Sequence, residues 1–228
     1  MRADAEVAAD TLSERAAARL EADILRGELA PDSRLGIVET SARYGIGATP
    51  LREALSRLVS RGLVVAIGQR GFRVKPISRA DLADILRIRV VIEREALRVS
   101  LEEGDGVWEG NIVAALHRLK RYIRDNPRGF GEGDPGFDGL HKAFHTALIG
   151  ACGSPRLLAA HSHLYDETYR YRRLMLARFD DREDFLRHHE TLAEAAIGRV
   201  RPDACDALEA HIRATLALVY PQASDCPS

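Results

Sequence analysis

The chain has 228 residues, of which 46% are hydrophobic, and its formal net charge is −1. That length suits two domains, and the apolar content suffices for packed cores. No run of about 18 apolar residues and no apolar signal core appears, so we expect a soluble, cytoplasmic protein with no membrane partner. The three cysteines, Cys152, Cys205 and Cys226, show no metal-site spacing, which is typical of reduced thiols.

The small net charge conceals a strongly basic segment in the first third of the chain. Residues 34–75 contain eight basic and two acidic side chains, a net of +6, whereas residues 79–228 carry a net of −3. A basic segment in an otherwise acidic chain favours a DNA-binding surface, because nucleic acid is a polyanion. A basic surface that is merely solvated gives the same count, so charge alone leaves both interpretations open.

Residues 11–76 are predicted to form one small domain after a disordered N-terminus over residues 1–10. Its helices are marked by apolar periodicity and closing glycines, and two short strands enclose a Gly-Gln-Arg-Gly turn. The predicted elements are a helix over 12–26, a turn over 31–35, a helix over 38–44, a helix from Thr49 to Gly62, and strands over 63–67 and 72–75. This order is the layout of a winged helix-turn-helix.

The helix that starts at Thr49 is the most informative segment. Its apolar residues share one face, formed by Leu51, Leu55, Leu58 and Val59. Thr49 is predicted to cap the helix and, with the first backbone amides, to suit a phosphate. Arg52 lies near the helix start and off the apolar face, so we predict that it contacts a base or phosphate in the major groove. Arg57 and Arg61 lie toward the helix end, which favours a role in solvent.

Two other parts of this domain are predicted to reach DNA. Arg34, in the turn, suits a contact to the phosphate backbone. At the hairpin turn, Gly71 permits close approach to the minor groove, and Arg70 lies beside it. The predicted DNA-binding residues are therefore Arg34, Thr49, Arg52, Arg70 and Gly71.

Residues 77–221 are predicted to form an all-α bundle, followed by a tail over 222–228. Ser78 and Asp81 fit a helix N-cap with an acidic partner at the third position. Breaks rich in Gly, Pro and Asp separate the later helices. The predicted helices cover 79–103, 108–125, 136–151, 155–179, 182–199 and 203–220. The predicted fold class is mainly α, with an N-terminal winged helix-turn-helix and a helical-bundle effector domain.

Four histidines are predicted to point into this bundle. His141 and His145 are four residues apart, so they project from one face of one helix and can share a metal. His189 and His211 lie on the apolar stripes of two other helices. Inward imidazoles suit a divalent cation, with Zn²⁺ as the expected ion and Ni²⁺ or Mn²⁺ as alternatives.

Spacing alone leaves alternatives for this cluster. A buried histidine is more often a hydrogen-bonded core residue than a metal ligand. Asp138, one turn before His141, is a candidate oxygen ligand, and His188 competes with His189 because both border the apolar stripe.

Arg89 is the candidate anchor for an organic-acid effector, because a guanidinium matches a carboxylate with two hydrogen bonds. A structural ion pair with Glu93, at i+4, explains Arg89 equally well. Three tyrosines are candidates for the lining of the same pocket, and the sequence does not choose among them: Tyr165, Tyr169 and Tyr171.

The order of these motifs resembles the GntR regulators of the FadR-like branch. Residues 35–52 resemble the GntR pattern that ends in Thr-Pro-x-Arg-Glu-Ala-Leu, and Arg70-Gly71 stands where that domain has its wing tip. Arg89-Val-Val-Ile-Glu93 resembles the Arg-x-x-Leu-Glu of the FCD domain. Phe144-His145, His189 and His211 resemble its histidine positions, and six helices resemble the shorter, VanR-like form.

The resemblance implies a ligand-responsive bacterial transcription regulator, with a repressor as the expected type. It implies a homodimer on a palindromic double-stranded DNA operator, and a small organic-acid effector that binds beside a divalent metal. It also implies that Arg52 touches DNA. The chain departs from the family at two places: Gly47-Ala48 replaces Ser/Thr-Arg before Thr-Pro, and His141 stands where the family has Asp.

Two other functions compete with this one. A metal-dependent hydrolase would need a general base beside an open metal position, but the His-Glu-x-x-His signature is absent and the chain reads His141-Lys-Ala-Phe-His145. A winged-helix protein-interaction module would not need the +6 segment. We therefore predict a regulator rather than an enzyme.

Overall fold

The structure is a computed structural model and describes residues 11–68, 71–126, 134–176 and 182–220. Contacts divide the chain into two compact units, Met1–Ile77 and Ser78–Ser228, called here the N-terminal and C-terminal domains. The segments predicted as a disordered N-terminus (1–10) and a tail (222–228) lie outside the described residues. Among the helices that the structure describes, none combines the length and apolar character needed to cross a membrane.

The N-terminal domain has the predicted layout. Its elements are α1 (Leu12–Leu25), β1 (Arg34–Leu35), α2 (Ile37–Tyr44), α3 (Ala48–Ser60), β2 (Val64–Ala66) and β3 (Phe72–Val74). α1 begins at a capping box in which Thr11 and Glu14 each accept a hydrogen bond from the other's backbone amide. The apolar faces of α1 and α3 meet in a core that includes the fully buried Leu20, Leu51 and Leu55. This core fixes the position of α3.

A three-stranded antiparallel sheet, in the order β1-β3-β2, forms the wing. β2 and β3 are the predicted hairpin, with Val64 opposite Val74. The prediction that residues 31–35 form only a turn is wrong for the last two residues, because Arg34 pairs with Arg73 and Leu35 pairs with Phe72. A two-residue strand has no periodicity of its own, so only the partner strand reveals it.

α3 starts one residue before the predicted position, and this changes the role of Thr49. Gly47 is the N-cap, and no side chain caps the helix. The prediction that Thr49 caps this helix is therefore wrong; Thr49 lies exposed in the first turn. Val59 was predicted on the buried face, but it is 36% exposed, and Ala54 occupies the core instead.

The C-terminal domain is an all-α bundle within the described ranges. Its helices are α4 (Arg79–Glu103), α5 (Gly106–Asp125), α6 (Pro135–Leu148), α7 (Pro155–Leu176), α8 (Arg182–Ile197) and α9 (Arg201–Val219). α4 packs against α7 and α9, and α5 packs against α6 and α8. Ser78 caps α4 as predicted, since its hydroxyl accepts a hydrogen bond from the amide of Asp81 at 3.1 Å. The hydroxyl of Tyr171 donates to the Asp81 carboxylate at 2.5 Å, which ties α7 to the first turn of α4.

Candidate functional site

The structure brings three of the predicted DNA-binding residues to one groove of the N-terminal domain. The groove has a volume of about 250 Å³ and lies between the start of α3 and the wing. Arg34 of β1, Arg52 of α3 and Gly71 of the wing all line it. Gly71 has a φ of +99°, a backbone conformation that favours glycine. Arg70 lies outside the described residues, so its place in this groove stays a prediction.

The arginines of α3 differ in their partners. Arg57 lies 3.5 Å from a carboxylate oxygen of Glu14, and Arg61 forms an ion pair with Glu21, so both reach back to α1. Arg52 is exposed and has no ion pair within the described residues. Its guanidinium is therefore available to a base or phosphate, whereas Arg57 and Arg61 link two helices of the domain.

The four predicted metal-ligating histidines come together from three helices of the C-terminal domain. His141 and His145 lie on α6, His189 on α8 and His211 on α9, and their candidate ligand atoms all lie within 4.8 Å of one another. Nε2 of His141 is 2.9 Å from Nε2 of His189 and 3.1 Å from Nε2 of His145. Neighbouring nitrogens around one ion at about 2.0–2.1 Å have similar spacings.

The environment of these imidazoles suits metal binding. Burial is the main cause that holds the pKa of all four well below the usual range, so each is neutral at pH 7 and offers a lone pair. Nδ1 of His189 lies 2.7 Å from the carbonyl oxygen of Phe185. If Nδ1 carries the proton, this contact directs the Nε2 lone pair to the cluster, as in many metal sites.

The structure also separates the competing candidates. His188 has a side chain that is 59% exposed and lies near Asp184, whereas His189 is only 1% exposed. Asp138 accepts a hydrogen bond from Tyr169 and is not a member of the histidine cluster. The candidate ligand set is thus four imidazoles, with His141 at the position where the family has a carboxylate.

Arg89 makes the ion pair that its spacing predicted. Its Nε donates to Oε1 of Glu93 at 2.7 Å, and both residues are almost fully buried. Nδ1 of His161 lies 3.2 Å from the same carboxylate oxygen. Burial raises the pKa of Glu93, but the charge of Arg89 and the hydrogen bond with His161 outweigh it and lower this pKa to about 2.

Sequence reasoning did not anticipate the surroundings of Tyr165. The guanidinium of Arg172 lies 4.1 Å from the centre of the Tyr165 ring, and that of Arg89 lies 5.3 Å from it. The same ring is 5.7 Å from the ring of His145. Arg172 therefore brings a second buried cation to the histidine cluster. Its position seven residues after Tyr165, two turns along α7, is the one local signal that could have indicated it.

Tyr169 and Tyr171 point to other groups. Tyr169 donates to Asp138, and Tyr171 donates to Asp81. Among the three candidate pocket tyrosines, Tyr165 places its ring against those of His141 and His145, at 6.0 and 5.7 Å between ring centres.

Two family models match the chain. The model described as "Bacterial regulatory proteins, gntR family" matches residues 12–74, and the FCD domain model matches residues 84–214. Together they cover the winged helix-turn-helix and most of the bundle.

Relatives agree with these matches. The HTH-type transcriptional regulator BphR of Paraburkholderia xenovorans (strain LB400) is 37% identical over 205 residues, covering 88% of this chain and 82% of the relative. The HTH-type transcriptional repressor GlaR of Escherichia coli (strain K12) is 32% identical over 209 residues, covering 88% and 92%.

Solved structures share the fold. E. coli McbR/YncC superimposes with a TM-score of 0.72 at 20% identity, covering 93% of this chain and 98% of that one. A GntR regulator from Rhodococcus sp. RHA1 gives a TM-score of 0.69 at 22% identity, covering 91% and 96%. On the family models and the two relatives, the chain belongs to the gntR family of bacterial regulatory proteins: it is a DNA-binding transcriptional regulator with an FCD domain, and not an enzyme.

Proposed function

We propose that this regulator is a repressor that binds a palindromic operator as a homodimer. We further propose that a small carboxylate, bound beside a divalent metal in the C-terminal domain, controls its DNA affinity. The observation that carries the effector part is the cluster of four neutral imidazoles, three of them buried, on which the charge of Arg89 acts. GlaR, one of the relatives, is named a repressor, and this supports repression rather than activation.

His145, His189 and His211 would hold the metal, and His141 would be the fourth ligand. Their nitrogens are close enough to share one ion, and the contact between His189 and Phe185 supplies the outer-shell support that such ligands usually have. Zn²⁺ is the expected ion for an all-imidazole set, and Ni²⁺ or Mn²⁺ are the alternatives. When bound, the metal would act as a Lewis acid that accepts the oxygens of a carboxylate.

The absence of a carboxylate among the four imidazoles favours an anionic effector. A set of four neutral ligands leaves the full double charge of the ion in place, whereas an aspartate would reduce it. The charges of Arg89 and Arg172 also act on this cluster, and both contribute to the lowered pKa of His141. An anion that enters here meets positive charge from the metal and from both guanidinium groups.

Arg89 is proposed to bind the effector while it keeps its ion pair. Its Nε is used by Glu93, and this contact holds the guanidinium in one orientation. No other hydrogen bond of Arg89 exists within the described residues, so its two Nη groups remain for a carboxylate. Glu93 and His161 then serve to position Arg89.

The operator contact is proposed for Arg52, Arg34, Thr49, Arg70 and Gly71. A single recognition helix reads only a few base pairs, so two symmetry-related copies on a palindrome provide the specificity that one copy lacks. Arg52, exposed and without an ion pair in the described part of the chain, is the expected reader of a base.

One experiment tests both parts of the proposal. Protein purified without an affinity tag is analysed for metal, and genomic fragments that it retains are sequenced with and without a panel of small mono- and dicarboxylates. We expect about one metal per chain, a palindromic consensus, and release of DNA by one of the acids. Metal below about a tenth of an equivalent, with no thermal shift on addition of Zn²⁺, Ni²⁺ or Mn²⁺, would refute the metal site. Retention of DNA without any consensus would refute the operator.

A further inference from the structure

One face of α4 is exposed although the helix is otherwise buried. Leu82, Leu86 and Leu97 are buried where α4 packs against α7 and α9. On the opposite face, Ile88 is 44% exposed and Val91 is 67% exposed. These two neighbouring apolar side chains, near the middle of a 25-residue helix, make this face a candidate contact surface for another protein.

The charged residues on this face alternate as acid, base, acid, base along the chain. Followed from the other end of the helix, the order is base, acid, base, acid. Asp84, Arg87, Glu95 and Arg98 flank the apolar pair and lie on the same side of the helix by their spacing. Asp84 and Arg98 lie seven residues before and after Val91. Arg87 and Glu95 lie four residues before and after it. A copy of the helix that runs antiparallel, with Val91 at the centre, therefore places an acid opposite each of these two bases. Arg94, which pairs with Asp206 and Glu209 of α9, lies opposite Ile88 in this register. A parallel copy places like charges together.

We propose that this face of α4, from Asp84 to Arg98, binds the same face of a second copy of the chain. The two helices run antiparallel, and Val91 lies on the two-fold axis. This inference rests on the proposed homodimer and specifies its surface, its direction and its register. A face that complements itself under a two-fold rotation is what an isologous interface requires. Asp84 faces Arg98 of the partner subunit, and Arg87 faces the partner's Glu95.

Helix geometry agrees with this register. Packed helices lie about 8–10 Å apart and have a Cα radius of about 2.3 Å, so the two Cα atoms at position 91 are about 3–5 Å apart. Positions 84 and 98 are separated by about 21 Å along one helix, because each residue rises about 1.5 Å. Copies of residue 98 are therefore far from each other in this dimer and close together in a parallel one.

In this interface, the charged side chains determine the register and the apolar side chains form the centre of the contact. The acids and bases pair within each helix at present, with Asp84 3.5 Å from Arg87 and Glu95 2.7 Å from Arg98. Exposed ion pairs contribute little affinity, so the partner charges chiefly select the antiparallel register and exclude others. Val91 from both copies supplies the apolar centre, and Ile88 lies opposite the aliphatic stem of the partner's Arg94.

The first test exchanges charges and measures mass by light scattering over a dilution series. Arg87→Glu and Glu95→Arg, each alone, bring like charges together and should each weaken the dimer by about tenfold. The double variant restores every pair and should recover most of the affinity. Arg121→Glu is the matched control, because it reverses a similarly exposed arginine on α5 whose ion pair within the described residues is with Asp125 of its own helix. Equal weakening by the control, or no recovery in the double variant, would overturn the register.

The second test is cross-linking with copper phenanthroline in a Cys226→Ser background. Val91→Cys should form a disulfide-linked dimer, because about 3–5 Å between the Cα atoms reaches the range that disulfides span. Arg98→Cys alone should not cross-link, but a mixture of Asp84→Cys and Arg98→Cys chains should. Cross-linking of Arg98→Cys alone would show a parallel pair and refute the proposal.

The outcomes separate this inference from the proposed function. A wild-type mass near 25.2 kDa at micromolar concentration would refute the homodimer itself. A wild-type mass twice that value, with no cross-link at Val91→Cys and no effect of the charge variants, would leave the homodimer in place and refute this face. Binding of a different protein at this face, with a monomeric wild type, would likewise refute the second copy as its occupant.

Discussion

The two domains present candidate sites of opposite character. In the N-terminal domain, Arg52 is exposed to solvent and has no ion pair in the described part of the chain, and its groove opens between a helix and the wing. In the C-terminal domain, His141, His145 and His189 are at most 4% exposed, and burial keeps them neutral. An exposed, charged side chain such as Arg52 can reach a polyanion such as DNA. Buried, neutral imidazoles can instead offer their nitrogen lone pairs to a metal.

Acid should have the largest effect, and it should destabilise the C-terminal domain more than the N-terminal one, because all eight histidines lie at or after residue 117. The pKa of each clustered imidazole is lowered in the folded state, so the unfolded chain binds more protons below about pH 6.5. Their stabilising contribution is fully present above that pH and is lost as the pH falls, by about 1.4 kcal/mol per pH unit for each imidazole that titrates.

Urea unfolding of the metal-free protein at pH 7.5, 6.0 and 5.0 measures this loss. The single tryptophan, Trp108, is buried in α5 and reports on the C-terminal domain alone. We expect its unfolding midpoint to fall with pH in EDTA and to fall less when Zn²⁺ is present at pH 6.0. A midpoint that stays constant down to pH 5.0 would contradict the buried neutral cluster.

Removal of one imidazole tests the C-terminal site directly. His189→Ala should lower metal affinity by about 100-fold or more, since loss of an outer-shell partner alone costs about 10–100-fold. Equilibrium dialysis with Zn²⁺ measures the affinity. His163→Ala is the matched control, because His163 is half exposed and outside the cluster. Operator binding without effector should be unchanged in both variants, and equal metal loss in both would remove His189 from the site.

Removal of one guanidinium tests the N-terminal site. Arg52→Ala should weaken operator binding by about 1–3 kcal/mol, because the side chain is exposed and has no competing ion pair in the described residues. Arg57→Ala should have a much smaller effect, since Arg57 lies on the same helix but pairs with Glu14. Fluorescence anisotropy with operator and scrambled DNA measures both. If Arg52→Ala no longer binds operator more tightly than scrambled DNA, Arg52 reads a base. Equal losses of operator affinity in Arg52→Ala and Arg57→Ala would contradict the proposed difference between the two arginines.

The smallest expected effect comes from His141→Asp, which restores the family's residue. Metal occupancy should persist, because carboxylate oxygens also bind these ions. The added negative charge should weaken binding of an anionic effector, and it should leave DNA binding without effector unchanged. Calorimetry with an identified carboxylate measures the effect. If metal is lost, position 141 does not tolerate an oxygen ligand, and the proposed equivalence with the family's aspartate fails.

Much of the fold could be predicted from local pattern. Glycines and N-caps marked most helix ends within a few residues, and Ser78 caps α4 because a hydroxyl before an apolar helix satisfies a free amide. The start of α3 was harder, because Gly47 and Thr49 are both acceptable N-caps. The β1 strand was missed because two residues have no period and its partner lies in the wing.

The sequence by itself determined the family, the order of the elements and the pairing of neighbours on one helix. The i, i+4 spacing put His141 beside His145 and Arg89 beside Glu93, since residues four apart share a helix face. Tertiary structure alone decided which faces meet: His189 comes within 2.9 Å of His141 although 48 residues separate them, and Arg61 reaches Glu21 across 40. Local periodicity determines which side chains share one face of a helix. Packing of the whole core determines which other helix that face contacts.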